Sequence, residues 1–215
     1  MNLNYKTYWR KSGLKGKWGN IFLQRLSAYN PQNVLEIGVF CGVTARNTCD
    51  FLNKINGNNF NYIGVDLFGS DQSEKKDEIE PIFLKNQKFS NPLKNIYYNY
   101  ILRENLNSIE SVSRLLKKYT ENVKLIAGDT NKVLKEINLQ NIDFVFLDGG
   151  HSYQTVINDL TKLYENMKGK KKVILCDDYG KKSYIPEVEK AINDFTKQRN
   201  LRLSLIENRF AEIIT

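Results

Sequence analysis

Short apolar runs set apart by polar, turn-forming stretches recur along the chain, and the first clear one is Val34-Leu-Glu-Ile37, followed closely by Gly38 and Gly42. A run this short, bounded by glycines, reads as a buried strand that ends in a sharp turn. Runs of the same kind follow at Tyr62-Ile-Gly-Val-Asp66, Val123-Lys-Leu-Ile-Ala127, Asp143-Phe-Val-Phe-Leu-Asp148 and Lys172-Val-Ile-Leu-Cys176. The fourth is too continuously apolar for a half-exposed strand and calls for cover on both faces. Between the runs the pattern becomes helical: Thr44 to Leu52, closed by Asn56-Gly57-Asn58-Asn59, then about Lys132 to Ile137, Tyr153 to Met167 and Pro186 to Gln198. Strands and helices in alternation predict a parallel, doubly wound α/β sheet. Two closing strands, Arg202 to Ile206 and Phe210 to Ile214, are separated by little more than Glu207-Asn208. So brief a link joins only antiparallel neighbours, which brings the sheet to seven strands.

Two regions lie outside this alternation. Residues 1 to 33 hold Trp9, Trp18, Ile21, Phe22, Leu26 and Tyr29, a spacing that predicts one or two short helices packed beside the sheet or over a ligand. Phe68 to Asn122 exceeds an ordinary loop and must carry helices of its own, Ser108 to Tyr119 being the clearest. Its Tyr97, Tyr98 and Tyr100 are expected to pack this insertion onto the rest, with the wall of an acceptor pocket as the alternative. With 215 residues and 41% hydrophobic content, the chain suits one domain over 1–215, with 1–33 as an N-terminal helical segment and 68–122 as a helical insertion or lid.

Charge and cysteines narrow the class only a little. The formal charge of +8 could draw nucleic acid or an acidic metabolite, but much of the excess falls in Lys168 to Lys172, Lys181 and Lys182, read here as a solvated loop. Cys41, Cys49 and Cys176 are an odd number without zinc-like spacing, so reduced thiols and a cytoplasmic location are expected. No segment has a signal peptide's apolar core or approaches the roughly 20 apolar residues that span a bilayer. A homo-oligomer is compatible with the chain, and nothing in the sequence selects an oligomeric state.

The chemistry concentrates at the ends of the predicted strands. Glu36, Asp66, Asp129, Asp148, Asp177 and Asp178 follow or end the five parallel runs, so a parallel sheet would gather them along one edge, where such folds bind ligands. Any one of these acids could simply cap a helix; the whole set beside a glycine turn reads as a site. A carboxylate at Glu36 repels a pyrophosphate and suits an amino or sulfonium charge, which favours a cationic nucleoside over a dinucleotide. Asp66, at the end of the second strand, is placed to accept ribose hydroxyls. Asp148-Gly149-Gly150-His151 presents an acid and the chain's single histidine on one short loop, and imidazole is suited to taking a proton from a hydroxyl. A capping or orienting role is the alternative for His151.

In Glu36, Gly38 and Gly42 the chain resembles the class I S-adenosylmethionine-dependent methyltransferases, with Phe40 where a middle glycine is usual. Asp148-Gly-Gly-His151-Ser-Tyr153 further resembles the small macrolide-sugar O-methyltransferases, with Gly150 where an acid often precedes the histidine. The resemblance implies a Rossmann-like fold and a donor site made by Glu36, Gly38, Gly42, Asp66, Asp129, Thr130 and Asp148, with Asp129 and Thr130 near the adenine. It also implies that Asp148, Asp177 and Asp178 can hold Mg²⁺ and that His151 acts as the catalytic base. The expected reaction is O-methylation of a small hydroxylated acceptor such as a sugar or secondary metabolite. RNA methylation is a rival that lacks an Asn-Pro-Pro-Tyr-like segment to read a base, and a non-catalytic protein of the same fold is another. An NAD-dependent dehydrogenase is disfavoured by Glu36 and Phe40.

Overall fold

The computed structural model describes residues 4–69, 89–167, 172–180 and 185–215. Five parallel strands, β1 (Asn33–Ile37), β2 (Asn61–Asp66), β3 (Val123–Ala127), β4 (Phe144–Leu147) and β5 (Val173–Cys176), are joined by antiparallel β6 (Arg202–Ile206) and β7 (Phe210–Ile214). The order across the sheet is β3-β2-β1-β4-β5-β7-β6. The chain therefore winds outward in opposite directions from β1 and β4, and the crevice opens where those two part. The β6–β7 link is a tight turn with positive φ at both Glu207 and Asn208, 53° and 58°, the conformation whose twist matches a hairpin.

Alternation along the strands builds two apolar layers. Val34, Phe144 and Phe146 face the layer that holds α1 (Lys17–Tyr29), α2 (Val43–Asn56) and α4 (Ile109–Leu116). Leu35, Ile37, Val145 and Leu147 face the layer that holds α6 (Tyr153–Asn166) and α7 (Pro186–Gln198). Helix ends fall where short polar side chains can meet free amides: Ser108 accepts from Ser111 N–H at the start of α4, and Ser152 accepts from Thr155 N–H at the start of α6.

Two expectations need correction. The helix predicted over Lys132 to Ile137 is instead the four-residue α5 (Thr130–Val133), capped by Asp129 and followed by a 3₁₀ turn over Leu134–Glu136. Ile137 is already extended, because the chain must turn back to deliver Ile137, Leu139 and Ile142 into the second layer. Lys172 is not solvated: it is 2% exposed, and its ammonium donates to the carbonyls of Gln140 and Ile142. The other lysines of that run, 168–171, and Lys181 and Lys182 lie outside the described residues. The N-terminal region has a single described helix, α1, preceded by an irregular strap.

That strap is pinned across α2. Lys6 N–H donates to Asn47 Oδ1 at 2.9 Å while Asn47 Nδ2 donates to Lys6 O at 2.8 Å. The Tyr5 hydroxyl meets Thr44 Oγ1 at 2.7 Å, and Tyr8 and Tyr119 both donate to Asp50. Within the insertion, α3 (Pro92–Ile96) runs into one π-helical turn over Tyr97–Ile101. Tyr98 is buried against Trp9 and Phe89, whereas Tyr100 is 73% exposed, so this tyrosine cluster packs insertion against strap.

Candidate active site

A cavity of about 800 Å³ opens at the carboxyl ends of the parallel strands, lined by Gly38, Asp66, Asp129, Thr130, Asp148, His151, Asp177 and Asp178. Eight of the ten positions singled out from the sequence meet there. The exceptions, Glu36 and Gly42, stand behind it.

Glu36 shares the strand parity of Val34, so its side chain turns into the layer between the sheet and α2. It is 1% exposed; Oε2 accepts from the Tyr62 hydroxyl at 2.8 Å and Oε1 has no partner. Burial pushes its carboxyl up to about 8 against an ordinary 4.5, the Tyr62 bond only partly opposing this. Glu36, expected as a donor-site carboxylate suited to a cation, is instead a buried acid beneath the bend and does not line the cavity. Gly42 has a positive φ of 73° as the first cap of α2, and a Cβ there would press on Val112 of α4, 2.9 Å away.

Gly38 is constrained more tightly, and by protein. At φ 93° a Cβ would lie 1.9 Å from the carbonyl oxygen of Asp148, so the glycine lets the β1 turn nest against the β4 loop. Phe40 takes φ 51°, the left-handed backbone a glycine would adopt, and its N–H donates to Asp66 Oδ2 at 2.7 Å. Asp66 Oδ1 accepts from Phe68 N–H, also at 2.7 Å. Both oxygens are thus oriented by the turns. Asp129 Oδ1 accepts from Asn131 N–H at 2.9 Å, so capping and cavity-lining coexist.

At the β4 and β5 ends three acids and a base share one corner. Burial holds the Asp148 carboxyl well above the usual carboxylate range, with Asp177 and Asp178 raising it further. His151 Nε2 stands 3.5 Å from Asp178 Oδ2. Arg209, which the sequence reading missed, spans Asp177: Nε and Nη2 each donate to one oxygen at 2.6 Å. The signal for it was register, since the antiparallel pairing of Cys176 with Ala211 carries Arg209 back beside the residues just past β5, where Tyr179 N–H donates to Arg209 O. The Mg²⁺ set does not fit this arrangement. Both Asp177 oxygens are committed to a guanidinium, and among the described residues no three His, Cys, Asp or Glu side chains gather as a metal site. The positive charge that the carboxylates attract comes from Arg209.

With this geometry in view, the sequence profile of a family described as a methyltransferase domain matches residues 35–179, about two thirds of the chain. The chain belongs to that methyltransferase family. The matched stretch runs from β1 through the β5 end and so contains every strand tip that lines the cavity. No curated protein matches this chain. Among solved structures, cofactor-bound Rv0187 from MTB superposes with a TM-score of 0.62 at 12% identity, over 95% of this chain and 82% of that one. The SAH-bound Podospora anserina methyltransferase PaMTH1 gives 0.58 at 14% identity, over 93% and 79%. The O-methyltransferase NovP gives 0.56 at 17%, over 89% and 75%. These identities show a shared fold: the seven-stranded, mostly parallel Rossmann-like sheet with antiparallel C-terminal strands. Three free, buried cysteines complete the description, and among the described residues no helix is long and apolar enough to cross a membrane.

Proposed function

We propose that the protein transfers a methyl group from S-adenosylmethionine to a hydroxyl oxygen of a small acceptor. The observation that carries this reading is the convergence of Asp66, Asp129, Asp148 and His151 on one cavity at the point where the strand order reverses. Its volume falls within the range of small-molecule sites, and the residues fit the donor. Asp66, oriented by two turn amides, can accept ribose hydroxyls. Asp129 and Thr130 stand beside it for the adenine, and the acidic edge favours a positively charged ligand.

When bound, S-adenosylmethionine supplies the methyl group as a sulfonium electrophile. The protein's own part is alignment and proton removal. His151 takes the acceptor's proton; with Nε2 turned to Asp178, Nδ1 is the nitrogen left to receive it. Asp178 then stabilises the imidazolium, and Arg209 keeps Asp177 compensated nearby. His151→Ala should lower turnover by roughly 10²- to 10⁴-fold while leaving the calorimetric affinity for S-adenosylhomocysteine unchanged. Unaltered turnover would remove His151 from the mechanism. If the wild-type protein takes up neither S-adenosylmethionine nor its demethylated product, a non-catalytic protein of this fold is the correct reading.

A further inference from the structure

The cavity has two walls of opposite charge. Acids at the strand ends form one; the other, built by the strap and the insertion, presents Arg10, Lys11, Lys15 and Lys94. Arg10 is structurally engaged: it donates to the carbonyls of Cys41 and Ser111 and lies 3.7 Å from Glu104. The three lysines differ. Lys11 sits over the Phe89 ring at 5.0 Å and Lys94 over Trp9 at 5.6 Å, and among the described residues none of the three has a carboxylate within ion-pairing distance. Partial burial lowers the Lys11 ammonium's pKa, the expected effect on a cation with no anion beside it.

The single carboxylate of a bound S-adenosylmethionine would engage at most part of this wall, and a neutral sugar would leave the rest without an anion. We propose that the acceptor is a phosphorylated molecule, its phosphate held by Lys11, Lys15 and Lys94 while its hydroxyl reaches His151. Three ammonium groups from two separate segments match a multiply charged, roughly spherical anion better than a single planar carboxylate, which an arginine fork recognises. The inference rests on the methyltransferase reading and adds the acceptor's chemical class to it.

The test uses the full chain saturated with S-adenosylhomocysteine and titrated calorimetrically with inorganic pyrophosphate, with UDP-glucose, and with methyl glucoside as the neutral control. Pyrophosphate and UDP-glucose should bind, more weakly as salt is raised, and methyl glucoside should not. Each of Lys11→Gln, Lys15→Gln and Lys94→Gln should weaken pyrophosphate binding by roughly three- to tenfold, with S-adenosylhomocysteine affinity unchanged as the check on folding. Absence of pyrophosphate binding to the wild-type protein, or binding insensitive to both salt and all three substitutions, overturns the proposal. Failure of S-adenosylhomocysteine to bind strikes instead at the methyltransferase reading beneath it.

Discussion

Glu36→Gln should abolish one pH dependence of stability and leave the fold intact. In the folded protein the Glu36 carboxyl titrates near 8, raised from 4.5 chiefly by burial; in the unfolded chain it regains its ordinary value. Between these values the folded state holds a proton that the unfolded state has lost. Stability therefore falls as pH rises through this window and levels off beyond it. The slope for one proton is ~1.4 kcal/mol per pH unit, and the gap between 4.5 and 8 sets a ceiling of about 5 kcal/mol, reduced by any relaxation that lets water reach Oε1. Glutamine cannot ionise and keeps an oxygen for the Tyr62 hydroxyl. Urea unfolding of both proteins from about pH 5 to about pH 9 isolates the effect, because the other titrating groups are common to the two. The variant's advantage should grow steadily with pH and then plateau. A difference that stays constant would show that folding does not shift the carboxyl, and one that shrinks as pH rises would show that the native state favours the ionised form; either would refute this account of the bend.

Arg209→Met should destabilise by about 3 kcal/mol in urea unfolding, because it strands the nearly buried Asp177 carboxylate without its partner; a change within experimental error would mean that Asp177 finds compensation elsewhere. Treatment with EDTA should leave methyl transfer unchanged, since Arg209 already occupies both oxygens of Asp177, and loss of turnover restored by Mg²⁺ would overturn this. Gly38→Ala should cost about 3 kcal/mol or more and weaken S-adenosylhomocysteine, because the added methyl collides with the Asp148 carbonyl; near-normal stability would show that the β4 loop yields.

The strands were legible because their signal is local. Arg202–Ile206 and Phe210–Ile214 coincide with the expected residues, and Pro186 marks the start of α7 as an N-terminal proline should. The strand-end acids were legible for a related reason: parallel topology turns a recurring position in sequence into a shared place in space. What stayed hidden depends on side-chain direction or on distant packing. Glu36 reads as a ligand contact until the two-residue period of β1 sends it into the helical layer. Gly38 and Gly42 read as room for a ligand, whereas the atoms that demand them belong to Asp148 and Val112. Lys172 reads as solvated because nothing adjacent in sequence reveals the carbonyls of Gln140 and Ile142 that receive it. Arg209 lies 32 residues from the acid it pairs with, a separation visible only once the strand register is known.

The hairpin that closes the sheet has a practical consequence for anyone trimming this protein to its recognisable part. Family likeness stops at residue 179, yet Arg209 arrives from beyond that limit and the strap arrives from before residue 35. A fragment cut to the matched segment would keep the whole acidic rim, lose the guanidinium that tempers it, and stand roofless on the side where Lys11 and Lys15 belong. The lining of the cavity thus extends beyond the matched segment on both sides, to the strap before residue 35 and to Arg209 after residue 179.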